Sequence, residues 1–345
     1  MGIMLIAELI APRQFRLVEQ EMEDLRPGQV RVRVNAVGIC GSDLHSYSEG
    51  AVGDSPSLYP MVLGHEPAGT VVAAGPGVTG WSPGDRAALE PALYCYHCEY
   101  CRSGRHNICE NIRFLSTPGY AGFFREFVDL PAVNLLGIPK SMPFELASLV
   151  EPLAVALHSM QFAAIGIGET AAVFGAGPIG LLTVACLRAA GASRIWVVEP
   201  VAHRREMARR MGAAEAIDPG AVDAARQIMA DTGGRGVDCA LDCAAKEHTI
   251  NWAIRCTRNG GRVALTGIHS QPMVPFEVSP MRRKELTIFN VRRSNHEPEA
   301  ALELLLARKE WFAPLVTHTR PLERVAEAFH IVEAYADGVG KFVIG

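Results

Sequence analysis

Four closely spaced cysteines are the most specific chemical feature of the chain. The stretch "CYHCEYCRSGRHNIC" has the spacing C-x2-C-x2-C-x7-C. Two-residue gaps let the thiolates of one loop converge on a tetrahedral centre, and four sulfurs close the coordination sphere of zinc. The spacing predicts a structural zinc site formed by Cys95, Cys98, Cys101 and Cys109, with His97 and His106 on the loop surface. Disulfides are the alternative, which clustered cysteines in a cytosolic chain disfavour.

A second set of possible metal ligands lies in "GICGSDLH" and "GHEPAG". One thiolate, one imidazole and one carboxylate, from Cys40, His65 and Glu66, can hold zinc and leave one position open, as catalytic sites require. Singly, each has a structural interpretation: a small core residue, a buried imidazole and a turn residue. Another carboxylate, Glu151, lies in "LVEPLAVALH". We predict a catalytic zinc site from these four residues, and it stays open whether Glu66 or Glu151 binds the metal directly.

A glycine-rich loop indicates a dinucleotide site. In "FGAGPIG" an apolar strand precedes the loop and a helix follows it, which is the context that the GxGxxG pattern requires. Glycines permit the tight turn, the approach of the pyrophosphate and helix–strand packing, and the helix N-terminus favours anions. The predicted contacts are Gly175, Gly177, Pro178, Ile179 and Gly180. A helix–strand turn without a ligand is the alternative.

An acidic residue after the next strand favours NAD as the dinucleotide. Glu199 follows Gly180 by 19 residues and can accept hydrogen bonds from the adenosine ribose. Its charge would repel the 2′-phosphate of NADP. Arg204, which we also predict to contact the cofactor, and Arg205 leave NADP open, because a nearby arginine can bind that phosphate.

The elements that must position these residues indicate an α/β chain of 345 residues in two domains. Residues 1–150 are β-rich, with period-two alternation in "QVRVRVNAVGI", and suggest a barrel-like or sandwich domain. From 151 to 290 strands alternate with helices, which predicts a parallel doubly wound sheet. Residues 291–345 contain the amphipathic helix "PEAALELLLARKEWF" and the strand "KFVIG", and are expected to return to the first domain.

Whole-chain properties argue against two other classes of protein. The formal net charge of -4 gives no electrostatic reason to expect nucleic acid as a partner, so a zinc-loop nucleic-acid-binding protein is an unfavoured alternative. We find no secretory signal and no run of ~20 apolar residues, and we expect a soluble, cytoplasmic protein without membrane partners.

Taken in order, these motifs resemble those of the zinc-dependent medium-chain alcohol dehydrogenases. The matching stretches are "GICGSDLH", "GHEPAG", "PGDRA", the four-cysteine loop, "EPLAVALH" and "GAGPIG". The sorbitol and polyol dehydrogenase branch is the most similar. The resemblance implies a GroES-like catalytic domain over 1–150, a Rossmann NAD-binding domain over 151–290, a return to the catalytic domain over 291–345, and a homodimer or homotetramer.

The resemblance also implies roles for individual residues. Cys40 and His65 correspond to catalytic zinc ligands, and Glu66 to a carboxylate that binds zinc directly or through water. Glu151 occupies the position where classical members have cysteine. The polyol and threonine dehydrogenase branches are similar to this chain in having glutamate there. Ser42 matches the hydroxyl that passes on the alcohol proton, and His45 matches a further relay residue of some members.

For the substrate, the resemblance implies contacts from Phe114, Thr117 and Arg292, whereas Gly119 and Tyr120 depart from the pattern of sorbitol enzymes. The implied reaction is NAD-linked interconversion of a secondary alcohol, such as a polyol of the sorbitol or xylitol type, and its ketone. An L-threonine or 2,3-butanediol type dehydrogenase is the alternative. A zinc-free reductase of quinones or enones is a further alternative, and the presence of the predicted metal ligands argues against it.

Overall fold

The computed structural model describes residues 2–345, which form two compact units. The first comprises the chain up to Glu151 together with Pro298–Gly345, and the second is Pro152–Glu297. The sequence pattern predicts changes between a β-rich region and a region of alternating strands and helices near residues 150 and 290.

The strands follow one another in the chain as β1 (Ile3–Ala11), β2 (Gln14–Glu21), β3 (Gln29–Gly38), β4 (Ala51–Val52), β5 (Ser55–Pro56), β6 (Met61–Val62), β7 (Glu66–Ala74), β8 (Arg86–Leu89), β9 (Ala92–Leu93), β10 (Arg113–Phe114), β11 (Phe127–Pro131), β12 (Leu135–Gly137), β13 (Thr170–Phe174), β14 (Arg194–Val198), β15 (Glu215–Ile217), β16 (Val237–Asp242), β17 (Thr257–Leu265), β18 (Thr287–Asn290), β19 (Val316–Arg320) and β20 (Lys341–Ile344).

The α-helices are α1 (Gly41–Ser48), α2 (Glu99–Arg102), α3 (Phe144–Ala147), α4 (Val150–Ala163), α5 (Pro178–Ala189), α6 (Ala202–Met211), α7 (Ala224–Asp231), α8 (Thr249–Cys256), α9 (Val278–Arg283), α10 (Pro298–Ala307), α11 (Lys309–Phe312) and α12 (Val325–Glu333). Short 3-10 helices lie at His106–Ile108, Ala132–Asn134, Ala313–Leu315 and Leu322–Arg324.

The main sheet of the first unit brings together residues from both ends of the chain. Its strands lie in the order β12-β8-β7-β3-β20-β19, and β11 also pairs with β3. In β3 the alternating Val30 and Val32 are fully buried, because that face packs on the core. Strand β3 therefore lies between β7, which begins at Glu66, and β20, which begins at Lys341.

The second unit is built on a six-stranded parallel sheet in the order β15-β14-β13-β16-β17-β18. Strand β13 is almost entirely buried and apolar, as expected when helices cover both faces of a parallel sheet. The alternating strands and helices confirm the predicted doubly wound α/β architecture. The glycine-rich loop follows β13 and precedes α5, at the carboxyl end of a central strand.

One helical segment, Phe144–Ala163, is long and apolar enough to cross a membrane by length and composition alone. The prediction that the chain contains no run of ~20 apolar residues is therefore wrong for this segment. However, 67% of the apolar window is buried inside the protein, as in a core helix of a water-soluble fold.

Candidate active site and metal centres

The four predicted cysteines converge into one cluster. Their Sγ atoms lie within 4.8 Å of one another, and the measured separations include 3.5 Å for Cys95–Cys109 and 3.9 Å for both Cys95–Cys101 and Cys98–Cys109. In a tetrahedral site with zinc–sulfur bonds of about 2.3 Å, the sulfurs lie roughly 3.8 Å apart. A disulfide needs about 2.05 Å. The cluster therefore fits zinc, and all four thiols are unpaired.

Local backbone geometry favours thiolates at the start of this loop. Hydrogen bonds from the backbone N–H groups of His97 and Cys98 lower the pKa of Cys95 to about 5. A hydrogen bond from the backbone N–H of Cys101 likewise lowers the pKa of Cys98, whereas burial raises that of Cys101 to about 12. Four thiols at such close range require a cation to be ionised together, so the cluster fits a bound metal ion.

The second predicted site brings together three donors from different elements. Cys40 directly precedes α1, His65 directly precedes β7 and Glu66 is the first residue of β7. Their donor atoms are within 4.8 Å of one another. Residues distant in sequence meet because β3 and β7 pair antiparallel and place Gly38 opposite Glu66. A Cβ atom on Gly38 would lie 2.0 Å from Glu66 Oε2, so only glycine fits beside this carboxylate.

Asp43 orients the histidine of this site. It is 1% exposed, and its Oδ1 lies 3.3 Å from His65 Nδ1, an ion-pair distance with poor hydrogen-bond direction. Burial alone would lower the pKa of His65, but the charges of Asp43 and Cys40 raise it well above its ordinary value. Carboxylate contact with Nδ1 leaves Nε2 for a metal, which is the usual arrangement around metal-binding histidines.

A buried lysine holds the carboxylate of Glu66. Lys341 Nζ, at the start of β20, lies 2.7 Å and 2.5 Å from the two carboxylate oxygens and donates to the carbonyl of Ile39 at 3.0 Å. Both residues are at most 1% exposed. Burial would lower the pKa of Lys341, but the negative charges of Glu66 and Cys40 raise it overall. The ion pair thus fixes Glu66 beside the other two donors.

Glu151, at the start of α4, lies outside the three-donor group but within its electrostatic range. Burial chiefly, with the neighbouring charges of Glu66 and Glu90, raises the pKa of Glu151 to about 8. Carboxyls thus outnumber the single ammonium of Lys341 around the thiol and imidazole. The mixed sulfur, nitrogen and oxygen donors of Cys40, His65 and Glu66 fit a divalent zinc ion with an open coordination position.

The predicted proton-relay residues lie on α1 beside this cluster. Ser42 Oγ is 3.5 Å from His65 Nε2, so its hydroxyl is adjacent to the nitrogen that would face the metal. His45 Nδ1 lies 3.0 Å from Glu49 Oε2 one turn later on the helix.

The predicted substrate residues of the first unit lie on β10 and the turn after it. The ring of Phe114 is buried, with its centroid 5.4 Å from that of His65. Thr117 is half-buried, and its hydroxyl donates to the carbonyl of Phe114 at 2.6 Å. Phe114 therefore contacts a predicted metal ligand, whereas Thr117 first stabilises its own turn.

The glycine-rich loop has the geometry of a phosphate-binding turn. Gly175 has φ +95°, which favours glycine, and a Cβ on Gly180 would lie 1.9 Å from the carbonyl oxygen of Gly175. Gly177 and Pro178 are the N-cap and first residue of α5, and Ile179 follows. The unpaired N–H groups of this helix end are therefore available to an anion.

Glu199 is tied to the same loop. One carboxylate oxygen accepts the N–H of Ala176 at 2.7 Å, and the other accepts that of Val201 at 2.9 Å. Each oxygen retains a second lone pair, so the carboxylate could accept further hydrogen bonds. Its position at the end of β14 is the one that ribose recognition requires.

The two neighbouring arginines differ in their surroundings. Arg205 Nη1 donates to the carbonyls of Glu199 and Pro200, and its Nη2 pairs with Asp218 at 2.9 Å. Arg204 is buried, and its Nη1 would lie 3.9 Å from a Cβ on Gly177. Arg204 is therefore the arginine that lies near the phosphate-binding loop.

The predicted Arg292 is exposed, whereas the next residue, Arg293, is half-buried with φ +54°. Their segment is anchored by Glu297, whose carboxylate accepts the N–H groups of Asn295 and His296 and lies 2.9 Å from His158 Nδ1.

The sequence predicts no role for three residues that support the Cys40, His65 and Glu66 site. They are Asp43, Ser116 and Lys341. Asp43 carried a local signal, since an acidic residue three positions after a helix N-cap commonly bonds back to it, and Cys40 N donates to Asp43 Oδ2 at 3.0 Å. No sequence pattern marks the other two, because their partners are distant along the chain.

Comparison with known proteins finds two family matches. The description "Alcohol dehydrogenase GroES-like domain" matches residues 26–140, and "Zinc-binding dehydrogenase" matches residues 178–307. The first covers both metal clusters apart from Glu151, and the second begins inside the glycine-rich loop.

Individual proteins match over nearly the whole chain. Sorbitol dehydrogenase of Bacillus subtilis is 35% identical over 316 residues, which are 92% of this chain and 90% of that protein. A zinc-binding dehydrogenase from Sinorhizobium meliloti 1021, solved with NADP, superposes with a TM-score of 0.91 at 29% identity over 100% of this chain and 99% of that one. 2R,3R-butanediol dehydrogenase from Bacillus subtilis gives 0.87 at 30% identity over 99% of each chain.

Proposed function

The chain belongs to the zinc-dependent medium-chain alcohol dehydrogenases, and from that premise we propose that it interconverts a secondary alcohol, of the polyol type, and its ketone with NAD(H). As a member of that family it is an oxidoreductase with a GroES-like and a Rossmann-type domain that uses zinc and NAD(P). The observation that carries the substrate proposal is Glu66 beside Cys40 and His65, with Glu151 nearby, in a chain 35% identical to a sorbitol dehydrogenase.

Two groups would supply the chemistry that side chains lack. Zinc held by Cys40, His65 and Glu66 would polarise the substrate hydroxyl and lower its pKa, and NAD would accept the hydride. We propose that Glu151 does not bind this zinc ion directly, since its carboxyl lies outside the three-donor group. The cysteines Cys95, Cys98, Cys101 and Cys109 would hold a second zinc ion of purely structural function.

The protein's own residues would orient the substrate and move its proton. Ser42 would accept the proton of the alcohol, because its hydroxyl lies beside the metal-facing nitrogen of His65. His45, whose Nδ1 is occupied by Glu49, would relay that proton outward. Phe114 would form an apolar wall next to His65, with Thr117 and Arg292 as further contacts of a polar substrate.

We propose NAD as the preferred cofactor. Glu199 adjoins the glycine-rich loop and would bind the ribose diol, and its negative charge opposes a 2′-phosphate. Buried Arg204, near Gly177, is the feature that favours NADP, and an NADP-bound structure is among the similar proteins. The preference therefore depends on the balance of these two side chains.

We propose that the protein is soluble and acts in the cytoplasm without nucleic-acid or membrane partners. We further propose a homodimer or homotetramer joined through β18, which is an edge strand of the parallel sheet. A 2,3-butanediol type dehydrogenase is the second candidate, supported by the structural match to such an enzyme. An L-threonine type is favoured only by the shared glutamate at Glu151.

A substrate panel tests the proposal. NADH formation from sorbitol, xylitol, 2,3-butanediol and L-threonine is compared at saturating cofactor, with NAD and then NADP. We expect the highest kcat/KM with a polyol and NAD. A preference for butanediol would select the second candidate, and activity on quinones or enones alone after complete zinc removal would refute the zinc-dependent mechanism.

A further inference from the structure

The turn after β10 contains a serine in an unfavourable backbone conformation. Ser116 has φ +87°, a region that residues with a Cβ rarely adopt, and it is 8% exposed. Its backbone N–H donates to the carbonyl of Tyr120 at 2.9 Å, and Tyr120 N donates to Thr117 at 2.9 Å. Conformations of this kind persist where the surrounding structure determines them, and they concentrate at functional sites.

The side chain of Ser116 reaches the residue that orients His65. Its Oγ donates to Asp43 Oδ1 at 3.1 Å, and both side chains are buried. The same oxygen accepts the N–H of Gly64 at 3.2 Å and lies 3.3 Å from His65 Nδ1, while Oδ2 accepts Cys40 N. Hydrogen bonds thus hold Asp43 from the N-cap of α1, from the segment before β7 that contains His65, and from the turn that contains Ser116.

We propose that Ser116 is a positioning residue for the catalytic metal site. Its hydroxyl fixes the carboxylate of Asp43, and the fixed carboxylate holds His65 with Nε2 directed at the metal. The left-handed backbone at Ser116 is the conformation that delivers the hydroxyl to this point. This inference rests on the metal site proposed above.

The same turn links the metal site to the proposed substrate residues. Phe114 packs on the His65 ring two residues before Ser116, and Thr117 follows it directly. The hydroxyl of Ser116 therefore fixes the position of the proposed substrate-binding turn relative to the metal ligand His65. Gly119, with φ +84°, closes the turn without a side chain.

Release of the two zinc ions tests this role separately from activity. A chromogenic chelator is added to the zinc-loaded full chain, and the rates of the two release phases are measured, with the four-cysteine site as an internal reference. The variants are Ser116→Ala, which loses the hydroxyl, and Ser116→Gly, which loses it but adopts φ +87° without steric cost. Ser48→Ala is the control, because the Ser48 hydroxyl, at the end of α1, donates to the carbonyl of Leu44 one turn earlier.

We expect both Ser116 variants to release the catalytic-site zinc about three- to tenfold faster than wild type. This acceleration is smaller than that expected from substituting a residue that contacts a metal ligand directly. The release rate from the four-cysteine site should not change. Ser116→Gly should unfold at or above the wild-type temperature and Ser116→Ala below it, which separates metal positioning from general stability.

Wild-type release rates in Ser116→Gly would overturn the proposal, and so would equal acceleration of both phases, which indicates general loosening of the fold. If the wild-type chain itself releases a single zinc ion per chain, the proposed catalytic site fails and this inference fails with it.

Discussion

The two metal clusters of the first unit differ in how they are assembled. The four-cysteine cluster draws all its ligands from one short loop, Cys95 to Cys109, with the same donor atom each time. The Cys40 cluster joins a helix start, a strand and the C-terminal strand through Lys341. A closed set of thiolates needs little support, whereas an open site needs residues that hold each ligand while one position stays free.

Cys40→Ala should separate the clusters most strongly. We expect alcohol oxidation to fall about thousandfold or more, since metal polarisation contributes several kcal/mol and each ~1.4 kcal/mol is tenfold in rate. Zinc content should drop to one ion per chain. Steady-state NADH formation and metal analysis measure both, with Cys186→Ala, a buried cysteine of the second unit, as the matched control. Retained turnover in Cys40→Ala would exclude the zinc role.

Cys109→Ala should have the converse effect. Loss of a ligand from the closed cluster removes the metal that organises the loop, so the unfolding temperature should fall by about 10 °C. The Cys40 cluster should keep its zinc, and kcat at low temperature should stay within about threefold of wild type. Calorimetry and zinc analysis measure this, and unchanged stability would contradict a structural role for the loop metal.

Lys341→Met tests the support of the open site. Removal of the ammonium leaves Glu66 charged and buried, and breaking such a pair costs about 3–5 kcal/mol of unfolding free energy. The double variant Lys341→Met/Glu66→Gln should recover most of that loss, because the uncompensated charge is gone. Urea denaturation measures the coupling, with exposed Lys309→Met as the control. Additive effects would show that the pair is not coupled.

Glu151 makes a smaller, pH-dependent prediction for protein whose catalytic zinc has been removed. Burial raises the pKa of Glu151 from 4.5 in the ordinary state to about 8 in the folded state. The folded chain then keeps a proton that the unfolded chain releases, so this contribution is present below about pH 4.5 and is lost as pH rises through about 8.

The unfolding temperature of wild type should therefore fall relative to Glu151→Gln across this window. A constant difference between the two proteins at all pH values would show that Glu151 does not titrate in this manner.

The sequence was most informative where ligands or periodicity are local. The cysteine spacing, the GxGxxG context and the alternation of Val30 and Val32 needed no tertiary information, and each predicted element is present. Such features depend on a few neighbouring residues.

Predictions failed or were absent where distant residues decide the structure. The helix read in "PEAALELLLARKEWF" is interrupted at Arg308. Lys341 opens a terminal strand and gives no sign of burial, which arises only because β3 places it beside Glu66.

Diffraction from crystals of the zinc-loaded protein on both sides of the zinc absorption edge tests the central claim most directly. Two anomalous peaks per chain are expected, one among the four cysteine sulfurs and one between Cys40 Sγ, His65 Nε2 and the carboxylate of Glu66. A peak at the four cysteines alone, with density at Cys40 and His65 unchanged after zinc supplementation, would contradict a catalytic metal at this site.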